Sequence, residues 1–212
     1  MTKIGTGTLT LSGANTYTGN TNINGGKLNV GSVETAGTSG PLGNQLANAA
    51  GTISFGGGTL QYSAANQFDY SGRFSTAASQ PISVDTNSQS VIFATALTSS
   101  GGTLTKLGAG TLTLTNAANT YTGLTTISAG TLSAANIVVG GGQSNLGNAT
   151  SAVVLGDTAT KGTLSYTGST ATYTRGFTVL AGGGEIDTTT AGQTLTLNSG
   201  TITGSKDRKS VV

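Results

Sequence analysis

The chain writes nearly the same phrase twice. "KIGTGTLTLSGANTYTG" occupies residues 3–19 and "KLGAGTLTLTNAANTYTG" occupies 106–123. Lys3 aligns with Lys106 at an offset of 103, which becomes 104 after one inserted residue and then holds. Ile23 matches Ile127, Leu28 matches Leu132, and Leu42-Gly43-Asn44 matches Leu146-Gly147-Asn148. Gly58-Thr59-Leu60 matches Gly162-Thr163-Leu164, after which the likeness decays but the rhythm continues. A fixed internal period means an architecture that adds units along an axis. The reading is therefore one segment, 1–206, made of two copies at about 3–105 and 106–206.

Each copy is itself repetitive. Gly-Thr-Leu recurs at 7–9, 58–60, 102–104, 110–112, 130–132 and 162–164. Strict alternation follows the glycine, as in Thr8-Leu9-Thr10-Leu11, and a period of two means a strand with one apolar and one polar face. Leu9, Leu11, Leu28, Leu60, Leu112, Leu114, Leu132 and Leu164 are expected to point inward, and Thr8, Thr10, Thr111 and Thr113 outward. No stretch has a convincing helical period; the best, Gln45 to Ala50, is too short to count. From Gly7 to Gly26 is 19 residues and from Gly110 to Gly130 is 20, the length of one β-solenoid coil of short strands and bends. Stacked coils bury what a single coil cannot. Asparagines at corners, such as Asn15 and Asn119, are candidates for amide ladders. About nine coils at the spacing of stacked strands make a rod on the order of 40 Å long. An antiparallel sandwich also has short strands and frequent turns, but it does not need one phrase twice at fixed offset.

Composition narrows the function. Charged residues are only 8% of the 212-residue chain, against about 25% in ordinary domains, while hydrophobic residues are 35%. Disordered chains show the opposite balance. The net charge is +2 with no basic stripe, which leaves nucleic acid without an electrostatic footprint. No run is long and apolar enough to span a membrane as a helix. With no His and no Cys, neither Ser-His-Asp nor Cys-His catalysis can be assembled within the chain.

What remains is carboxylate chemistry: Glu34, Asp69, Asp85, Asp157, Glu185 and Asp187. Glycoside hydrolysis needs two of these converging in a groove. Only Glu185 and Asp187 are close, on the strand face opposite Ile186, and a solvated outward pair is the reading preferred over a catalytic one. "GGGEID" (182–187) is one imperfect copy of a calcium nonapeptide that must occur in tandem, so it is read as a turn before a strand. Tyr17 and Tyr121 hold the same place in the two copies, as do Tyr62 and Tyr166. Packing over coil corners, with hydroxyls reaching water, is preferred to an exposed row stacking on sugars. No catalytic, cofactor-binding or metal residue is assigned.

Residues 106–134, "KLGAGTLTLTNAANTYTGLTTISAGTLSA", resemble the autotransporter-associated β-strand repeat, also called the passenger-associated transport repeat. The family pattern is approximately Lys-x-Gly-x-Gly-Thr-Leu-Thr-Leu, a spacer, Asn-Thr-Tyr-Thr-Gly, then Thr-x-Ile-x-x-Gly-x-Leu, and residues 3–30 fit it equally well. The resemblance implies a right-handed parallel β-helix serving as a stalk of a bacterial secreted or surface-displayed passenger, with no catalytic residues. It implies a translocator barrel or other surface anchor as partner, and an extracellular or cell-surface location. An adhesin module for glycans or host proteins is the alternative, and a polysaccharide-active β-helix enzyme the third reading.

Both ends read as truncated. Met1 occupies the place of Leu104, an interior position, and residues 200–206 begin a further copy that gives way to "DRKSVV". Asp207 to Val212 are expected to be a non-native tail, a sequencing or cloning scar.

Overall fold

The computed structural model describes residues 1–44, 51–198 and 201–204. The expected tail, 207–212, and the short helical candidate, 45–50, lie outside the described residues. Among the described residues the only helix is a single 3-10 turn at Ser71–Arg73. Everything else regular is strand, and every pair of strands is parallel. The molecule is a parallel β-solenoid of about nine stacked coils, not a sandwich.

Its spine is a nine-stranded sheet running from Thr8–Leu11 through Lys27–Val30, Thr59–Gln61, Pro81–Asp85, Thr103–Leu107, Thr125–Ile127, Val153–Leu155 and Phe177–Val179 to Ile202–Gly204. A second sheet stacks Gln89–Phe93, Gly110–Leu114, Gly130–Ala134, Gly162–Tyr166 and Gly184–Thr188. Three short strands, Thr2–Lys3, Thr21–Ile23 and Ile53–Phe55, make a third. Ala171–Tyr173 and Leu195–Leu197 pair as a fourth.

Parallel pairing in register turns the leucine alternation into columns. Val91, Leu112, Leu132, Leu164 and Ile186 stand one above the next. All five are buried. Leu9, Leu28, Leu60 and Val84 form the matching column of the spine. Leu28, Leu60 and Val84 are fully enclosed, yet Leu9 is 39% exposed. It keeps the expected register but lies on the edge strand Thr8–Leu11, so no further leucine covers it. Thr8 and Thr10 are exposed as expected, and Thr111 and Thr113 are half-buried.

The two copies are not stacked face over matching face. In the first copy Thr2–Lys3, Thr21–Ile23 and Ile53–Phe55 form the small sheet, while their successors Thr8–Leu11, Lys27–Val30 and Thr59–Gln61 join the spine. In the second copy the equivalents of that first set, Thr103–Leu107, Thr125–Ile127 and Val153–Leu155, are in the spine instead. Pro81–Asp85 makes the change. Val84 and Asp85 pair with Leu60 and Gln61 on one side, and the whole strand pairs with Thr103–Leu107 on the other. The second copy thus starts one face round from the first.

Candidate functional site

The residues that recur with the motif converge on main chain. Lys106 lies on the inward face of its strand, beside Val84 and Ile127 in the column, and is fully buried. Its ammonium donates to the carbonyls of Leu107, Gly108 and Ala129 at 3.0, 2.7 and 3.0 Å. Lys3 repeats the arrangement on Ile4, Gly5 and Gly25 at 2.7, 2.9 and 3.0 Å. Three donors meet three acceptors, which is the full valence of an ammonium and what a buried one requires. Two carbonyls come from the lysine's own turn and the third from the next coil, so each lysine ties two coils together.

The glycines of the motif build this cradle. Gly108 has φ +71° and Gly5 φ +73°, the left-handed turn that aims their carbonyls at the ammonium. Gly130 of the next coil lies flush on the turn: a Cβ there would stand 2.5 Å from the Gly110 carbonyl oxygen and 3.0 Å from Lys106 Nζ. Burial pushes the Lys106 ammonium down to about 8, against the pull of Asp85. Burial also raises the Asp85 carboxyl, but bonds from Lys27 (2.7 Å), Gln61 (2.9 Å) and the Asn87 amide (2.9 Å) outweigh it and hold the group below the usual range. Sequence reading passed over the lysine. The signal was present, since alternation places Lys106 on the same strand face as Leu104.

The recurring tyrosines also face inward. Tyr121 is buried with its hydroxyl on Thr125 Oγ1 at 2.8 Å, and Tyr17 meets Thr21 the same way at 2.9 Å. The Tyr121 hydroxyl therefore does not reach water, contrary to the expectation, because a buried Thr lies four residues on; Tyr17 is half-buried. Their carbonyls accept the amides of Asn44 and Asn148 from a later coil. Tyr62 and Tyr166 are buried and Tyr17 is half-buried, so the four tyrosines form no exposed sugar-stacking row.

Two arginines that the sequence reading left unassigned complete the scheme. Arg73 donates to the carbonyls of Gly51 and Leu42, each at 2.9 Å. Arg175 donates to Ser151 at 3.1 Å and Leu146 at 2.8 Å. Leu42 and Leu146 are matching residues, so each arginine clamps the same loop of an earlier coil. The corner asparagines make no amide-to-amide ladder. Asn15 donates to the Pro41 carbonyl, and Asn119 to the carbonyls of Asn116 and Asn145, because antiparallel bridges there bring main chain within reach first.

Apart from Asp85 and Asp157, the carboxylates are dispersed. Glu34 accepts from the Tyr70 hydroxyl at 2.7 Å. Asp69 caps the amides of Ser71 and Ala94, and Asp157 those of Ala159 and Thr160. Glu185 pairs with Lys161 on the outer face and Asp187 is exposed, the solvated arrangement preferred from sequence. Asp85 and Asp157 border one open groove together with Lys27 and Lys161, each already bonded as described. Among the described residues no three acids gather as a metal would need.

A family model described as the passenger-associated-transport-repeat matches residues 1–30 and 104–134. The chain carries two passenger-associated-transport repeats. Each match covers one lysine cradle and the tyrosine–threonine pair that follows it. The chain is also similar to a curated protein named Adhesin BmaC autotransporter, from Brucella suis biovar 1 (strain 1330), at 40% identity over 211 residues. That alignment takes in 96% of this chain but only 6% of the relative's length. No solved structure matches. Among the described residues no helix is long and apolar enough to cross a membrane.

Proposed function

We propose that the chain is a structural passenger segment of a bacterial secreted or surface-displayed, autotransporter-like protein. It acts as a single β-helical stalk of two stacked copies, 3–105 and 106–206, that supports export and display. One observation carries this reading: the polar residues that define the repeat, Lys3, Lys106, Tyr17 and Tyr121, are bonded to neighbouring coils or strands and offer nothing to a substrate. The resemblance of 96% of the chain to an autotransporter supports the same reading. A translocator barrel or other anchor elsewhere in the full-length protein is the partner it needs, and the bacterial surface or exterior its location.

The chain is not itself an enzyme on this reading. Purified protein should turn over neither polysaccharides nor esters, and a turnover abolished by Glu185→Gln or Asp187→Asn would defeat the proposal. The positive test places the chain between a signal peptide and a translocator barrel in a Gram-negative host. The segment should become cleavable by protease added to intact cells; retention inside the cell would count against it.

The relative is named an adhesin, which favours a second reading, an adhesin-type module for glycans or host-surface proteins. Adherence of the purified chain to host cells, competed by the soluble chain, would support it. Display without adherence would leave the stalk alone.

A further inference from the structure

Each copy places a tyrosine and an arginine at the same point, and only the first copy supplies the tyrosine with a carboxylate. Phe74 bridges to Ile53, and Phe177 pairs with Val153 in the matching strand. Tyr70 and Tyr173 each precede that phenylalanine by four residues, with Arg73 and Arg175 between. In the first copy the Tyr70 hydroxyl donates to Glu34 Oε2 at 2.7 Å, and Arg73 lies within electrostatic range of both groups. The constant offset from Leu28–Leu132 to Leu42–Leu146 assigns Val138 to the place of Glu34 in the second copy.

A cavity of about 250 Å³ opens beside Val138, lined also by Asn148, Thr150, Tyr173, Thr174 and Arg175. No acid lines it. Tyr173 is 1% exposed and its hydroxyl has no hydrogen-bond partner. Arg175 uses Nε and Nη1 on main-chain carbonyls, and its buried Nη2 has no partner. The same is true of Arg73 Nη2 in the first copy, so the Tyr173 hydroxyl is the donor that distinguishes the two copies. Buried donors are normally satisfied, and a group left over calls for an explanation.

We propose that this cavity is a carboxylate-binding site, sized for one acidic sugar residue. A carboxylate accepts on both oxygens; in the first copy Glu34 takes the Tyr70 hydroxyl, with Arg73 acting on it only through charge. Asn148, Thr150 and Thr174 offer amide and hydroxyl partners for ring hydroxyls, and Val138 offers an apolar wall. The volume is just under the usual range for small-molecule pockets, which suits one ring and not a chain of them. Neither free donor touches solvent, so entry of the carboxylate requires a rotamer change in a lining side chain such as Val138.

The test is an NMR titration of the purified chain with D-glucuronate, D-glucose and acetate. Glucuronate is expected to bind about tenfold tighter than glucose, the discrimination of one charge-assisted pair of bonds. Glucuronate tighter than acetate assigns the site to an acidic sugar; acetate equal to it assigns a free small carboxylate, with the same chemistry. Val138→Glu should abolish binding and raise Tm, since the side chain then fills the place as Glu34 does. Tyr173→Phe should weaken glucuronate several-fold, and it decides the matter if Val138→Glu does not fold. Equal affinity for glucose and glucuronate, or wild-type glucuronate affinity in Val138→Glu or in Tyr173→Phe, would overturn the proposal.

Discussion

Lys106 is the residue on which two coils depend. Replacing it by Met keeps the volume but leaves the carbonyls of Leu107, Gly108 and Ala129 without their donor in a closed space. The expected loss is about 2–4 kcal/mol, read as a lowered urea midpoint at pH 7. The pH dependence has a definite sign. The folded group titrates at about 8, lowered by burial against the opposing pull of Asp85, whereas the unfolded lysine keeps its ordinary value near 10.5. Between those values the unfolded chain holds the extra proton, so stability rises with pH there, at up to about 1.4 kcal/mol per pH unit. The Met variant should lack that rise; an unchanged slope would show that Lys106 is not its source. Sequence alone could not reveal this role. Alternation placed Lys106 inward, but a charge on an apolar face is acceptable only where three carbonyls converge, and that convergence needs the glycine turn and the next coil together. The arginine clamps were hidden for the same reason: their acceptors lie 22 to 31 residues away.

At the scale of the element, the strand Pro81–Asp85 joins the two copies because it can serve two neighbours at once. Asp85 closes that junction, taking bonds from Lys27 and Gln61 of earlier coils and from the Asn87 amide of its own turn. These bonds hold its carboxyl low in spite of burial, so its contribution is complete above the ordinary carboxylate range and lost as pH falls through the folded value. Asp85→Asn should cost about 1–3 kcal/mol at pH 7 and lose less stability than the wild type on acidification. Equal acid sensitivity in both proteins would remove Asp85 from that role. The individual strands were legible from Gly-Thr-Leu followed by alternation, and their parallel stacking from the fixed offset. The change of face was not. A constant offset says which residues correspond but not which sheet each joins, and the joining strand itself carries no repeat phrase.

For the whole molecule, stacking predicts a one-dimensional pattern of energies. A coil touches its two neighbours and little else, so the cost of a defect depends on its place in the column. Leu112 stands between Val91 and Leu132 and is fully enclosed; Leu9 shares the same kind of register on an edge strand and is 39% exposed. Leu112→Ala should cost about 3 kcal/mol and Leu9→Ala under about 1 kcal/mol. The decisive comparison is between pairs. Leu28 and Leu164 lie in different columns many coils apart, so their alanine variants should add within about 0.5 kcal/mol. Leu112 and Leu132 are partners in register, and one shared cavity should make their double variant depart from additivity by more than that. Long arrays need not unfold in one step, so amide hydrogen exchange is the measurement of choice. Protection should fall in the substituted coil and its immediate neighbours and stay unchanged farther along the rod. A uniform fall through all coils would mean that the solenoid behaves as one closed core rather than as a stack.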